Sequence, residues 1–292
     1  MRGDEKMRSE REMMKLILDF AERDERIRLV TLEGSRANKN IPKDSFQDYD
    51  VSYFVTDMNS FIESDDWLDV FGRRIFMQKP EAMELFPPEL GNWFSYLMLF
   101  EDKNRIDLTL IPVQEVDEYF KKSDGLVDVL LDKDSLVKGE VTPTDEKYWI
   151  KKPTAKEFDD CCNEFWWVST YVVKGLARKE ILFANDHLNE IVRPNLLRMM
   201  SWHIGIKKGF NFSLGKNYKF IERYLSKEDW KTLLSTYDVS SYHKTWQALF
   251  TCLELFRKYS KAVGNQLDYT YPDYDQAISN YTKDIYQSLY ES

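Results

Sequence analysis

Three cysteines and three histidines are all that this 292-residue chain offers of the residue types that most often hold zinc or form redox centres. Cys161 and Cys162 are neighbours and Cys252 lies far from both, so no CxxC spacing exists for a metal site or a disulfide framework. His187, His203 and His243 are too scattered for an HExxH zinc motif, and each reads as a surface or hydrogen-bonded histidine. Long hydrophobic runs are missing too. The longest near the middle, Phe94 to Phe100, is far too short to cross a bilayer, and MRGDEKMRSERE at the start contains no apolar segment of the secretory kind. There is no surplus of basic residues: 50 acidic against 41 basic side chains give a formal charge of −9, and no basic stripe exists to follow a duplex. Internal repeats and low-complexity segments are absent as well. These absences predict a soluble, cytoplasmic protein with neither membrane nor nucleic acid as partner. The acidic balance suits a cationic partner, although ordinary cytoplasmic proteins share it.

What is present is a well-packed globular composition, 43% hydrophobic and 15% aromatic, at a length that favours two domains. Apolar residues at helical spacing predict a first helix over Ser9 to Arg26. IRLVTLEG, Ile27 to Gly34, reads as a strand ending in a glycine turn, and DYDVSYFVT, Asp48 to Thr56, as a second strand. SDDWLDVFG follows with Ser64 as a candidate helix cap, then RRIFMQKP, Arg73 to Pro80, as a third strand. NWFSYLMLFE and RIDLTLIPV face each other across a polar turn as a hairpin, followed by a helix in PVQEVDEYFKK and a short strand in VDVLLDK. Residues 1–135 therefore read as a mixed α/β domain and 136–153 as a linker. From Thr154 to 292 the pattern becomes long, aromatic-rich amphipathic helices, with Gly175, Gly205, Gly209 and Pro194 as expected breaks or kinks, and with serines heading the later helices. The fold class expected is α+β, a mixed sheet followed by a helical bundle.

The chemistry concentrates in LEGSRANKNIPKDSFQDYDVSYFV. Strand side chains two apart share a face, so Asp48 and Asp50 stand side by side, and two adjacent anions call for a cation. A glycine lets backbone N–H groups approach an anion, and the serine after it adds a hydroxyl donor, so Gly34 and Ser35 suit a phosphate. Paired carboxylates suit Mg²⁺, which commonly shares its shell with substrate phosphates. Asp107, in the hairpin's second strand, adds a third carboxylate. Alone it could equally cap a turn or pair with Arg105. The combination fits a nucleoside triphosphate and its metal.

GSRA, then DYDVSYFV, then the aspartate of RIDLTLIP resemble the nucleotidyltransferase fold shared with β-type DNA polymerases. REMMKLILDFAERDERIRLVTLEGSRAN, FWWVSTYVVKGLARKEILFANDHLNEIVRPNLLRMMSWHIG and LGKNYKFIERYL extend the likeness over nearly the whole chain, which resembles the aminoglycoside 6-adenylyltransferases that modify streptomycin. The resemblance implies that a substrate hydroxyl, at position 6 of the streptidine ring, attacks the α-phosphate of ATP. AMP is then transferred, pyrophosphate leaves, and the antibiotic is inactivated. Mg²⁺ would be held by Asp48 and Asp50, while Asp107 would serve as a ligand to a second Mg²⁺ or as general base. Gly34 and Ser35 would cradle the terminal phosphates. Arg36 would be a further phosphate contact or the partner of a structural carboxylate, and Lys216 and Lys219 would reach the triphosphate from the helical domain, across a cleft. Streptomycin carries two guanidinium groups and an amine, which makes Glu101, Asp102, Asp186 and Glu190 candidate substrate contacts. The rival expectations are the same chemistry on another small-molecule or protein acceptor, and a nucleotide-binding regulator without turnover.

Overall fold

The structure, a computed structural model, describes residues 6–290; the outermost residues of the two segments delimited above, 1–5 and 291–292, lie outside the described residues. The chain divides into two compact units, one ending at Lys147 and one beginning at Tyr148.

In the first unit, α1 (Glu10–Arg23) is fixed at its start by a capping box in which Ser9 and Glu12 satisfy each other's backbone N–H groups. It buries Met13, Ile17 and Ala21. Strand β1 (Ile27–Glu33) follows, then α2 (Gly34–Ala37), β2 (Tyr49–Val55) and α3 (Asn59–Ile62). The Gly-Ser element is thus not a simple turn: Gly34 opens a short helical turn at φ +65°. Asp66–Phe71 forms a 3₁₀ turn, with Ser64 Oγ accepting from Asp66 N at 3.1 Å. Strand β3 (Arg74–Gln78), the hairpin β4 (Phe94–Phe100) and β5 (Arg105–Pro112), α4 (Val116–Lys122) and β6 (Val127–Asp132) complete the unit.

The strands form one mixed sheet in the order β3-β4-β5-β2-β1-β6. Its pairs are antiparallel except β2 with β5, which run parallel. Alternation gives the sheet two faces. Val30, Leu32, Tyr49, Val51, Tyr53, Ile106 and Leu108 pack with α1 in one apolar cluster. Leu29, Phe54 and Ile111 pack with Val116 and Tyr119 of α4 on the other. Residues beyond β6 stay with this unit, since Val137 and Val141 pack on the second cluster and Asp132 accepts the N–H groups of Leu136 and Val137 at 2.9 Å each.

The second unit is helical. Thr154 and Glu157 form another capping box at the head of α5 (Ala155–Ala177). Next come α6 (Ile181–His187), a wide π turn over Leu188–Val192, α7 (Arg193–Lys208), α8 (Lys227–Ser235) capped by Ser226, α9 (Tyr242–Leu267) capped by Ser241, and α10 (Tyr274–Tyr290). Gly209, at φ +89°, ends α7 as its sequence suggests. The expected breaks at Gly175 and Gly205 are corrected. Gly175 and Gly205 lie inside helices as close-packing positions: a β-carbon would come within 2.9 Å of the Phe183 ring at the first and 2.5 Å of the Phe210 ring at the second. Pro194 sits in the first turn of α7, just after the π turn, where a missing N–H is tolerated. Phe165 and Phe256 stack at 3.7 Å in a core that also buries Trp166 and Trp246. Trp166 is therefore core, while Trp167 is exposed and donates to Tyr171 Oη at 3.1 Å. No helix of the described residues is long and apolar enough to cross a membrane.

Candidate active site

The parallel pairing of β2 and β5 sets Asp50 directly beside Asp107, with Tyr49 beside Ile106. Tyr49 and Ile106 point into the apolar cluster under α1, so strand alternation turns Asp50 and Asp107 to the opposite face. Asp48 precedes β2 by one residue and keeps the same phase. The antiparallel β1 brings Glu33 opposite Asp50, and Gly34 follows immediately. The glycine and the two flanking carboxylates thus meet where three strands end together.

The charges interact strongly. Burial pushes the Asp50 carboxyl up to about 6, and Asp107 and Asp48 add to the shift. Burial raises Asp48 too, opposed by Arg105 and reinforced by Asp107. Arg105, two residues before Asp107 on the same face of β5, donates to both Asp107 oxygens at 2.9 Å and approaches Asp48 Oδ2 at 3.7 Å. The cation demanded by this acidic face is, in this structure, a guanidinium. Among the described residues no three carboxylate, imidazole or thiol groups converge as a preformed metal cage. Even so, the donor set is oxygen only, as a hard divalent cation requires, and Arg105 is a half-exposed side chain with room to withdraw.

One group at this site was not anticipated. Glu33 is a half-buried residue whose carboxyl is raised to about 7 mainly by desolvation, and it accepts from Thr31 Oγ1 and Tyr119 Oη at 2.5 Å each. The signal for it is an acidic residue ending an apolar strand, two places from Thr31 and next to the glycine. Arg105 takes the pairing with Asp107 that the sequence offered as one alternative, and its i, i+2 spacing on a strand places the pair on one face.

The remaining candidates separate into different places. Arg36 is buried, stacks 3.7 Å over the Tyr49 ring and donates to the carbonyls of Asp48 at 3.0 Å and Gln47 at 2.7 Å. Its guanidinium positions the backbone of Asp48 and lies 3.6 Å from the Glu10 carboxylate, the second of the two roles expected for it. Ser35 anchors the same loop through its carbonyl, which accepts from Gln47 Nε2 at 3.2 Å. Asp102 is also corrected, because it lies buried in the hairpin turn with its carboxylate filled by Arg8 and Asn104. Those bonds hold it well below the usual carboxylate range against the opposing cost of burial. Glu101, a neighbour in that turn, approaches Arg73 at 3.5 Å.

In the helical unit, Lys216 and Lys219 are exposed around a 3₁₀ turn. Asp186 is an exposed residue of α6, but Glu190 lines a cavity of about 510 Å³ together with Glu157, Asp160, Glu164, Arg198 and Trp202. Glu157 is committed to the cap of α5, and Asp160 pairs with Lys156 at 2.6 Å. Glu164 and Glu190 make no ion pair among the described residues. The cavity therefore presents two uncommitted carboxylates near an aromatic ring, the chemistry a polycation needs.

Residues 7–285 match the family described as streptomycin adenylyltransferase. The chain belongs to that family. Among curated relatives of these adenylyltransferases, an aminoglycoside 6-adenylyltransferase of Bacillus subtilis (strain 168) is 70% identical over 97% of this chain and 100% of its own length. One from Campylobacter jejuni is 59% identical over 94% of this chain and 95% of its own. One from Staphylococcus aureus is 51% identical over 97% and 100%. The crystal structure of an aminoglycoside 6-adenyltransferase from Bacillus subtilis aligns over 96% of this chain and 99% of its own at 64% identity, with a TM-score of 0.48.

Proposed function

We propose that this adenylyltransferase-family chain transfers AMP from ATP to an aminoglycoside hydroxyl, position 6 of streptomycin first among them, and releases pyrophosphate in the cytoplasm. The observation that carries the reading is the register pair Asp50–Asp107 beside the Gly34 turn. A triphosphate brings its own negative charge to a face already acidic, so a divalent cation is required. Asp48 and Asp50 are the residues that would hold it. Mg²⁺ bound there neutralises the triphosphate and stabilises charge on the departing pyrophosphate.

Asp107, oriented bidentately by Arg105, accepts the proton of the attacking hydroxyl. Gly34, whose own N–H donates to the Leu126 carbonyl, makes room for the Asp50 carboxylate, and the Ser35 hydroxyl is the donor proposed for a terminal phosphate. Within the helical unit, the cavity holding Glu164, Glu190 and Trp202 has the chemistry to bind a guanidinium-bearing aminoglycoside. The test is direct: purified protein, ATP, Mg²⁺ and streptomycin are mixed and the antibiotic is weighed by mass spectrometry. An adduct heavier by one AMP is expected. An unchanged antibiotic, with AMP found on another member of an acceptor panel, would replace streptomycin with that acceptor.

A further inference from the structure

The helical unit contains a cavity of about 320 Å³ that is separate from the acidic one and has the opposite electrostatic character. The last turn of α7 contributes Lys207 and Lys208, α9 contributes Lys258, and Asp229 of α8 is the lone carboxylate in the lining. Asp229 is already engaged: it accepts from Lys258 Nζ at 2.5 Å, and its own backbone N–H is capped by Ser226 at 3.0 Å. Lys207 and Lys208 make no ion pair among the described residues and are exposed. Three ammonium groups against one spent carboxylate leave a local positive excess on a chain whose formal charge is −9.

His203 provides a second, independent observation. It lines the same cavity, its Nδ1 is buried without a hydrogen-bond partner, and its ring meets the Tyr259 ring edge-on at 5.1 Å. Nδ1 has almost no accessible surface, so a ligand in the cavity would meet the ring through Nε2. Burial first, then Lys207 and Lys258, lower the imidazole below its ordinary value against the opposing Asp229 carboxylate, and a neutral ring donates from one nitrogen. The first turn of α8 already carries Glu228 and Asp229, which offset its dipole, so the lysines rather than the helix end supply the attraction.

We infer that this cavity is a binding site for a compact phosphate dianion, either free or as the phosphomonoester of a small metabolite. Lysine ammonium groups act as point charges toward phosphate, and a neutral imidazole adds a directional hydrogen bond. The volume is near the small end of ligand pockets and admits a phosphate with a small appendage. The inference does not rest on the proposed AMP transfer.

With three histidines in the chain, imidazole proton NMR of the full-length protein gives a direct readout. Inorganic phosphate is titrated at constant ionic strength, with chloride as the balancing anion. One imidazole signal, identified by its loss in His203→Gln, is expected to move along a saturable curve. Lys207→Gln combined with Lys208→Gln, both at exposed positions, should weaken binding roughly tenfold or more. The same titration of Asp50→Asn should match the unaltered protein. No saturable shift, a shift indifferent to the lysine changes, or one lost in Asp50→Asn would overturn the assignment. Running glucose 6-phosphate beside inorganic phosphate then separates the two sources: tighter binding of the sugar phosphate marks a phosphomonoester site, and equal or weaker binding a free-phosphate site.

Discussion

A β-carbon at Gly34 would lie 2.6 Å from Oδ2 of Asp50, well inside any normal contact. The glycine and the aspartate are thus one structural unit, since the missing side chain is what lets the carboxylate stand at the end of β1. Gly34→Ala also meets a backbone at φ +65°, where an L side chain costs about 1–2 kcal/mol. Turnover should fall by at least roughly tenfold, one such factor per 1.4 kcal/mol of misplacement, and the urea midpoint should drop. Full activity in this variant would separate the glycine from the catalytic face.

Replacing the aspartates one at a time distinguishes their roles. Asp50→Asn should abolish AMP transfer and also remove the thermal stabilisation that Mg²⁺ gives the protein. Asp107→Asn should abolish transfer while keeping most of that stabilisation, because the proposed role of Asp107 is to take a proton. If Asp107→Asn loses the Mg²⁺ response as completely as Asp50→Asn, Asp107 is a ligand.

Arg105 competes for the oxygens a metal would use. Arg105→Gln removes a half-exposed ion pair, so the metal-free protein should lose only about 0.5–1 kcal/mol. The rise in melting temperature on adding Mg²⁺ should be larger than in the unaltered protein. An identical rise would mean the guanidinium does not obstruct the site.

Asp102 gives a contrasting result. Asp102→Asn leaves the part-buried Arg8 guanidinium without its counter-charge and should cost about 2–3 kcal/mol in denaturant unfolding. Measured on folded protein, KM for the aminoglycoside should not change. A raised KM with stability intact would return Asp102 to the substrate site.

The pH dependence of stability has a definite sign. Asp50 rises from an ordinary value of 3.8 to about 6, and Glu33 from 4.5 to about 7, so between those limits the folded chain holds more protons than the unfolded one. Without metal, stability contributed by these groups should decline as pH rises from about 4 to about 7, by up to about 3 kcal/mol for each group. Asp50→Asn should flatten the lower part of that decline and Glu33→Gln the upper part. Unfolding curves at fixed ionic strength check both, and a slope unchanged in the two variants would exclude them as its source.

Much of this was legible in the sequence, because local rules operate where contacts are local. The caps at Ser226 and Ser241 follow from serines placed just ahead of helical periodicity, and the hairpin from two apolar runs around EDKN. Asp48, Asp50 and Asp107 share a face by alternation alone, although the register that places Asp50 against Asp107 depends on a long-range pairing. What stayed hidden depended on burial. Nothing in the sequence distinguishes the buried Asp102 from the neighbouring Glu101, or tells that Arg36 would stack inward on Tyr49. Gly175 and Gly205 read as breaks because their close neighbours, Phe183 and Phe210, are set by tertiary packing. Helix α10 had no assignment, although Tyr274, Ile278, Tyr281, Ile285 and Leu289 recur at helical spacing, and it is held by contacts such as Arg257 with Asp275 at 2.6 Å.

The parallel junction of β2 and β5 has a consequence for biosynthesis. The β4–β5 hairpin can close as soon as its own residues emerge, whereas β5 reaches β2 only after the intervening chain has folded back, a late and slow event for a nascent polypeptide. Until that seam zips, Asp50 and Asp107 belong to separate pieces of chain. An incompletely folded copy therefore lacks the paired acidic face, and chemical competence arrives together with the finished sheet.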